Sequence, residues 1–424
     1  MAVYQEKKGD KFMYLMKIAF RNLFRRKSRT LIIAGLLALA IFFALSFDSF
    51  MGGMMDLSFS NIIDFESAHM EVGSDTFFED GEPDLDNVFY LSDDILKEIE
   101  GLSGYVASTP VIDFSANLIA GREEYPTVVR AVEPDSFERV FKYHEYIVEG
   151  EFINEGQSGL VIGQSLAELL EIGVGDYYTL LFQDRDNSFN TLQGEVTGIV
   201  FTPNPDMNLG KVIVDKSYAA SSLGVDIDES SHIMARFENR DIAAEQSSIL
   251  SERLADSGFA ARSWREFSDT MVAMEAWGDL EIQFIMGLIL LVGAIGIVNL
   301  VVLSALERVE EIGMMKAMGL KESEIVKVFL VESAGVGVAG GLVGLIFGSI
   351  ATALMNNFGV DLQALYGDAT LEMGVPIIGR VYGTWNLDSY ILFFLFGLFV
   401  AVGASLIPSY WAARKNPVDA IYHR

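Results

Sequence analysis

The chain has 424 residues, of which 51% are hydrophobic and 21% are charged, and its formal net charge is −29. This apolar content is higher than a soluble protein of such length needs for its core. The acidic balance excludes nucleic acid as a partner, because phosphate binding requires clustered lysine and arginine. Cysteine is absent, which excludes disulfide bonds and thiolate sites.

The N-terminal segment, residues 1–29, is basic, and we predict that it forms a cytoplasmic amphipathic helix. Its basic residues ahead of the first apolar stretch include Lys17, Arg21, Arg25, Arg26, Lys27 and Arg29. The apolar stretch that follows is longer than the core of a cleaved signal peptide, so we interpret it as a membrane-spanning helix.

Three further apolar stretches approach or exceed the roughly 20 residues that a helix needs to cross the hydrocarbon core. We therefore predict four transmembrane helices, at residues 30–52, 281–306, 326–356 and 388–412. The basic N-terminal flank places the N-terminus in the cytoplasm. Four crossings return the C-terminal tail, residues 413–424, to the same side.

The longest segment between predicted spans, residues 53–280, is then extracytoplasmic. It alternates between runs of β-branched and aromatic residues and segments with helical periodicity. The predicted strands are 106–114, 127–132, 160–162, 178–182 and 196–201, and the predicted helices are 93–100, 135–141, 165–170 and 242–254. The sequence therefore predicts a large α+β domain, with Ser165 and Glu168 forming a capping box.

Motifs for catalysis and for metal or nucleotide binding are missing from the sequence. There is no HExxH and no GxxxxGK[ST], and the four histidines are isolated. We expect no catalytic, cofactor-binding or metal-binding residues in this chain, and we expect ATP hydrolysis to lie in a separate subunit.

The predicted cytoplasmic loop, residues 307–325, contains a short helix with Ile312, Met315 and Met318 on one side. Gly319 follows as a predicted left-handed cap. An apolar stripe that faces the cytoplasm indicates a docking surface for a partner. The alternative is that the stripe packs on the protein's own helices or on lipid headgroups.

The third predicted span carries Gly340, Gly344 and Gly348 at intervals of four. Such a row of glycines predicts a face where another helix approaches closely. The span is followed by a second predicted extracytoplasmic segment, residues 357–387.

The motifs of the loop and the chain ends resemble the FtsX/MacB/LolC-type permeases of ABC transporters. The loop sequence Glu307-Arg308, Glu311-Ile312-Gly313 and Lys316-Ala317-Met318-Gly319 is similar to the family's ER…EIG…KA-x-G signature. Pro408, Ala412-Ala413-Arg414 and Pro417-Val418-Asp419-Ala420 are similar to its closing P…AAR…P-x-x-A pattern.

The resemblance implies a helical membrane protein with four spans and a MacB-type periplasmic core domain. It implies that the permease pairs with a second copy or a paralogue and recruits two copies of an ATPase, which would bind ATP and magnesium. The residues implied in ATPase coupling are Glu307, Arg308, Glu311, Ile312, Met315, Lys316, Ala317 and Gly319. The implied location is the bacterial inner membrane, with both termini cytoplasmic.

Within the family, the lipoprotein-releasing LolC/LolE type is the most similar in size and organisation. A lipoprotein cargo, its periplasmic carrier and membrane lipid are then expected partners. We predict one of two roles, a cargo surface or the domain's own core, for the apolar residues that follow the first span: Leu57, Phe59, Ile62, Ile63 and Phe65. The alternatives for function are a MacB-like efflux or export permease and a membrane-anchored envelope sensor or scaffold.

Overall fold

The computed structural model describes residues 16, 17, 19, 21, 27–80, 83–255, 257–266, 269–306, 309–362 and 379–414. Much of the predicted N-terminal helix, of the 357–387 segment and of the C-terminal tail lies outside these ranges. The chain divides into two compact units. The helical unit comprises Met1–Met55, Trp277–Val360 and Val381–Arg424, and the sheet unit comprises Asp56–Ala276 and Asp361–Arg380.

The helices and strands are numbered here in chain order. The helices are α1 (Lys27–Ile62), α2 (Asp75–Asp80), α3 (Asp93–Glu100), α4 (Pro134–Val140), α5 (Gln164–Leu170), α6 (Pro205–Gly210), α7 (Lys216–Leu223), α8 (Arg240–Leu254), α9 (Asp269–Leu306), α10 (Val309–Ala317), α11 (Glu322–Phe358) and α12 (Leu387–Arg414). A π-helical segment, Ile63–Ser67, continues α1, and a 3₁₀ turn spans Tyr143–Tyr146.

The strands are β1 (Met70–Ser74), β2 (Phe89–Tyr90), β3 (Tyr105–Ala120), β4 (Glu123–Val132), β5 (Ile147–Gly150), β6 (Gly159–Gly163), β7 (Tyr177–Gln183), β8 (Phe189–Val200), β9 (Lys211–Asp215), β10 (Glu229–Ser230), β11 (His232–Phe237), β12 (Phe259–Ser263), β13 (Val360–Asp361) and β14 (Arg380–Val381). The five strands and four helices predicted for the extracytoplasmic domain all fall on observed elements of the same type.

Three helices in the described part of the chain are long and apolar enough to cross a membrane: Thr30–Ser67, Glu322–Phe358 and Leu387–Trp411. They confirm three of the four predicted spans. The second predicted span lies in α9, where the apolar stretch Gln283–Asn299 is shorter than the roughly 20 residues that a crossing needs. The count of four is therefore corrected to three candidate spans.

The glycine row of α11 packs against α1. A Cβ atom built on Gly340 would lie 2.7 Å from the carbonyl oxygen of Ala34, and one on Gly344 would lie 2.8 Å from Cβ of Ile41. Gly348 is equally crowded by α1. Only glycine permits this approach, because real Cβ atoms do not come so close to other heavy atoms.

The opposite side of the same helix packs against α12 through two further glycines. A Cβ atom on Gly341 would lie 2.8 Å from Cδ2 of Phe394, and one on Gly337 would lie 3.1 Å from Cβ of Ala401. The helix α11 therefore lies between α1 and α12, with glycines at both contacts.

The sheet unit is built on a ten-stranded mixed sheet. Nine strands follow the order β12-β1-β11-β3-β4-β9-β6-β8-β5, and β7 pairs with β3 and β8. The pairs β4–β9 and β6–β8 are parallel, and the other pairs are antiparallel. The predicted α+β class of this domain is confirmed.

Successive residues of the central strands enter different hydrophobic cores, because side chains alternate between the two faces of a sheet. On β11, Met234 packs with Phe65 and Phe137, whereas Ile233 packs with helices α3 and α8. A third core lies where the sheet meets α5 and α7. The residue that follows the first apolar span, Phe65, is thus part of the sheet unit's interior.

Ser165 does not have the capping role predicted for it, whereas Ser251 binds an edge strand. The predicted capping box at Ser165 is wrong, since α5 begins one residue earlier, its N-cap is Gly163, and no side chain caps it. Ser251 of α8 binds both backbone groups of Ala261 on edge strand β12, with Oγ accepting from the amide at 3.0 Å and donating to the carbonyl at 2.6 Å.

We expect Gly344→Leu to separate α11 from α1, because the new side chain would overlap Ile41 and the backbone of Ala38. The expected loss of stability is about 1–3 kcal/mol, typical of overpacking. Thermal unfolding of the full chain in detergent measures it.

The matched control is Gly403→Leu on α12, where a Cβ atom meets nothing within 4 Å. A midpoint for Gly344→Leu that equals that of Gly403→Leu would contradict the close packing of α11 on α1.

Candidate functional site

The short helix α10 ends in a Schellman motif. The amide of Leu320 donates to the carbonyl of Met315 at 3.1 Å, and the amide of Gly319 donates to the carbonyl of Lys316 at 2.9 Å. Gly319 has a φ of +89°, a conformation that favours glycine. The predicted left-handed cap is present at this residue.

One ion pair connects the end of α10 to the start of α11, and a capping hydrogen bond lies within the start of α11. The Lys316 ammonium lies 3.2 Å from Oε1 of Glu322, and Oε2 of Glu324 accepts a hydrogen bond from the amide of Lys321 at 3.0 Å. The turn between the two helices is therefore fixed in direction by its cap and by charged groups on both sides.

The apolar side of α10 is divided between the interior and the surface. Ile312 is 1% exposed and packs with Ile325, Phe329 and Ala413, and Met315 packs at the edge of the same cluster. The predicted docking face of Ile312 and Met315 is therefore corrected: α11 and α12 cover it.

The exposed apolar residues are instead Met314 and Met318, at 53% and 73% exposure. Met318 was part of the predicted stripe, but Met314 was not. The remaining predicted coupling residues fall in three groups. Glu311 and Lys316 are half-buried, Ala317 is exposed, and Glu307 and Arg308 lie outside the described residues. Their role in coupling stays a prediction.

The residues predicted to line a cargo surface lie at the end of α1 and in the π-helical segment. Phe59, Ile62, Ile63 and Phe65 are buried, and Leu57 is half-buried. The ring of Phe59 lies 4.9 Å from that of Trp264. These four buried side chains form no accessible surface, and Phe65 has the alternative role, because it belongs to a hydrophobic core of the sheet unit.

A buried ion pair occupies the sheet face beneath this segment. Arg130 of β4 donates through Nε to Oδ1 of Asp113 at 2.8 Å and through Nη2 to Oδ2 at 2.7 Å. Burial alone would raise the pKa of Asp113, but the guanidinium lowers this pKa to about 2. Both groups are therefore charged at neutral pH.

A second buried pair, Glu71 and His232, lies on the same face. The side chains are 2% exposed, with His232 Nε2 3.9 Å from Oε1 of Glu71. Neither carboxyl oxygen of Glu71 has a hydrogen-bond partner among the described residues. Burial raises the pKa of Glu71 well above its usual value, although Arg130 opposes this, and burial lowers the pKa of His232 to about 3.

Sequence reasoning missed these buried charged residues. The available signal was a charge inside an apolar strand run, as in Val128-Val129-Arg130-Ala131-Val132 and Met70-Glu71-Val72. Charged residues are almost never fully buried unless paired, so each such position predicts a polar partner. The partner's identity depends on the strand order, which local patterns leave open.

Two family models match the chain. A MacB-like periplasmic core domain matches residues 30–250, and an FtsX-like permease C-terminal domain matches residues 283–417. The chain belongs to the FtsX/MacB/LolC family of ABC transporter permeases. The permease is thus a membrane protein whose first span leads into a periplasmic core domain of this type.

Three relatives show the range of the family. The permease is 24% identical over 314 residues to an uncharacterized ABC transporter permease of Methanocaldococcus jannaschii, covering 71% of each chain. It is 21% identical over 321 residues to the lipoprotein-releasing system transmembrane protein LolC of Xylella fastidiosa, covering 74% of this chain and 77% of LolC. It is 28% identical over 173 residues to the macrolide export ATP-binding/permease protein MacB of Bartonella henselae, covering 41% and 23%.

We expect Gly319→Val to strain the cap of α10 by about 1–2 kcal/mol, since a β-branched residue is disfavoured at positive φ. The exit direction of the loop should change, and stimulation of ATP hydrolysis in a partner ATPase should fall at least threefold. The measurement is ATPase activity of the reconstituted complex with and without the permease.

Gly258→Val in the sheet unit is the matched control, because Gly258 has a φ of +77° and open space around it. Equal stimulation by the Gly319 and Gly258 variants would show that the loop direction is unimportant for coupling.

We expect Glu71→Gln to stabilise the permease increasingly as pH rises above 4.5. The folded state holds a proton on Glu71 that the unfolded state releases, so the wild type loses stability from pH 4.5 up to the raised pKa. Glutamine is neutral throughout and lacks this loss. Unfolding midpoints between pH 5 and 9 measure the effect.

Glu123→Gln at the exposed start of β4 is the control, for which no gain with pH is expected. A gain for Glu71→Gln that is constant with pH would mean that Glu71 is already ionised in the folded protein.

Proposed function

We propose that this permease is the membrane subunit of a lipoprotein-releasing ABC transporter. In this proposal a separate ATPase, present in two copies, binds ATP and magnesium and drives the release of acylated proteins from the membrane. The permease relays the motion of the ATPase to its sheet unit and hydrolyses nothing itself.

The observation that carries the proposal is an apolar groove of about 730 Å³ between α1 and α9. Its walls include Leu39, Phe43 and Phe47 of α1 and Leu288 and Val292 of α9. Among the described lining residues the one hydroxyl is that of Ser46, which donates its hydrogen to the carbonyl of Phe42. A groove without free polar groups is suited to acyl chains.

The similarity to LolC supports this choice, because it extends over 77% of that protein. The similarity to MacB extends over 23% of a protein whose name includes both ATP binding and permease functions. Macrolide export is the second candidate, favoured by the match to the MacB-like core domain. A third, a membrane-anchored sensor or scaffold, would have no transport activity.

The docking surface for the ATPase is proposed to be the exposed side of α10. Met314 and Met318 supply flexible apolar side chains, which adapt to a partner surface. The Schellman motif at Gly319 fixes the direction in which α11 leaves the loop. A force applied to α10 would thereby pass to α11, because Ile312 is packed against that helix.

For orientation we propose that both chain ends lie on the cytoplasmic side of the membrane. The basic residues near the start of α1 then lie in the cytoplasm together with α10 and the C-terminal tail. The sheet unit lies outside the inner membrane, where a second permease copy or paralogue and a periplasmic carrier would bind.

The proposal is tested by filling the groove. Val292→Trp places a large ring in the groove, where Val292 is 62% exposed. In vesicles that contain the permease, its ATPase and a triacylated lipoprotein, we expect ATP-driven release to fall at least fivefold while ATP hydrolysis continues. Release of the radiolabelled lipoprotein to an acceptor measures it.

The matched control is Ile391→Trp on α12, which is similarly exposed but lies outside the groove. Unchanged release by Val292→Trp would contradict the acyl-chain site. ATP-driven efflux of a macrolide without lipoprotein release would replace the proposal with the MacB-like function, and no transport of either would favour the scaffold.

A further inference from the structure

The sheet unit contains a cavity of about 480 Å³ that the proposed function does not use. Its lining comes from three neighbouring strands, β7, β3 and β4, from residues 83–86, and from the turn between β7 and β8. All of these residues belong to the sheet unit. The volume falls within the range of small-molecule sites in proteins, about 300–1,000 Å³. We call it the sheet-unit cavity.

The charged residues in the described lining of this cavity are all acidic. They are Asp84, Asp86 and Asp184, and the described lining contains no lysine or arginine. No ion pair joins these three carboxylates to another residue in the part of the chain that the structure describes. Charges of one sign around a concave surface add up to a strong local potential. The cavity therefore attracts cations.

Two basic residues that directly follow lining residues in the sequence are paired with other acids. Nη1 of Arg185 lies 2.8 Å from Oε1 of Glu229, and Nζ of Lys211 lies 3.8 Å from Oε1 of Glu66. Neither of these two glutamates belongs to the described lining. Because both cations are engaged with them, a positive charge that balances the lining would have to come from a ligand.

Two hydroxyl groups of the lining favour a ligand that donates hydrogen bonds. Oγ of Ser115 donates to the carbonyl of Pro83 at 3.3 Å, and Oγ1 of Thr127 donates to the carbonyl of Gly210 at 2.8 Å. A hydroxyl has one hydrogen, so both oxygens can serve a ligand only as acceptors. An ammonium group has three donors and no acceptor, which complements such oxygens.

The lining also offers apolar surface. The ring of Phe189 is 75% exposed, and Pro83 and Pro126 are further lining residues. A cation is attracted to the face of an aromatic ring, a contact that proteins use to recognise organic amines. The three aspartates do not form a group that could hold a metal ion. The lining thus favours an organic cation.

We propose that the sheet-unit cavity binds a small organic cation, an amine or guanidine on an apolar body. Asp84, Asp86 and Asp184 neutralise its charge, and Phe189 contacts its body. The site is independent of the cargo and of the ATPase, because no residue of its described lining belongs to the lining of the apolar groove between α1 and α9.

The test titrates the full chain in detergent with spermidine, a linear triamine, at physiological ionic strength. We expect calorimetry to show saturable binding of one spermidine per chain. A linear diol of the same length should not bind, because it brings no charge to the carboxylates. Spermidine should also raise the thermal unfolding midpoint, since a ligand that binds the folded state stabilises it.

Asp86→Asn and Asp184→Asn should each raise the Kd for spermidine at least fivefold, because each removes a hydrogen bond to a charged group. Asparagine keeps a side-chain carbonyl, so position 184 can still accept from the amides of Asp186 and Ser188, as Oδ1 of the aspartate does. Phe189→Ala should raise the Kd about threefold through loss of the ring contact.

The matched control is Asp241→Asn, which removes the same charge from an exposed position of α8 outside the described lining. Its Kd should stay within twofold of the parent's. An equal loss of binding in Asp241→Asn and Asp86→Asn would overturn the proposal, since spermidine would then be held by the acidic surface as a whole.

Two further results would also overturn it. Equal binding of the diol would show that charge is not recognised, and no binding of spermidine would show that the cavity takes no such cation. Binding of a lysine-containing tripeptide without binding of spermidine would assign the cavity to a polypeptide partner instead. Lipoprotein release is not measured here, so these results leave the proposed function to its own test.

Discussion

The close contact between α1 and α11 is the constraint on which the helical unit depends. Lipid tails are as apolar as leucine side chains, so helices in a membrane gain little from hiding apolar surface and associate through tight packing instead. The glycines at 340, 344 and 348 leave α11 without side chains at the contact and let its backbone approach α1. The same helix carries Ile325 and Phe329, which hold α10 in place.

In the sheet unit a different requirement dominates. The carbonyl groups of the π-helical segment that continues α1 lie within the protein interior, where an unpaired polar group costs free energy. Arg130 of β4 donates to one of them, the carbonyl of Glu66, and this cation is in turn paired with the carboxylate of Asp113. The result is a connected set of charges that links one helix end to strands β3, β4 and β11.

Whether a feature of the fold could be predicted depends on how far apart in the sequence its interacting residues are. The strands were predicted because alternating and β-branched runs are local patterns, and the glycine row and the cap at Gly319 depend on spacing within one helix. The burial of Ile312 could not be predicted, because the sequence pattern of an apolar stripe is the same whether the stripe contacts a partner or the protein's own α11. The contact between Asp64 and Arg236 joins residues 172 positions apart, and it exists only because β1 and β11 are neighbours.

The two ends of the large sheet have a consequence for solubility. An edge strand with unpaired backbone groups invites a strand from another molecule, which is a common route to aggregation. On β12, Ser251 already occupies both backbone groups of Ala261 at mid-strand. At the other end, β5 is four residues long and carries Glu149. Neither edge offers a long row of free amides and carbonyls, so the sheet is protected against growth into a cross-β assembly.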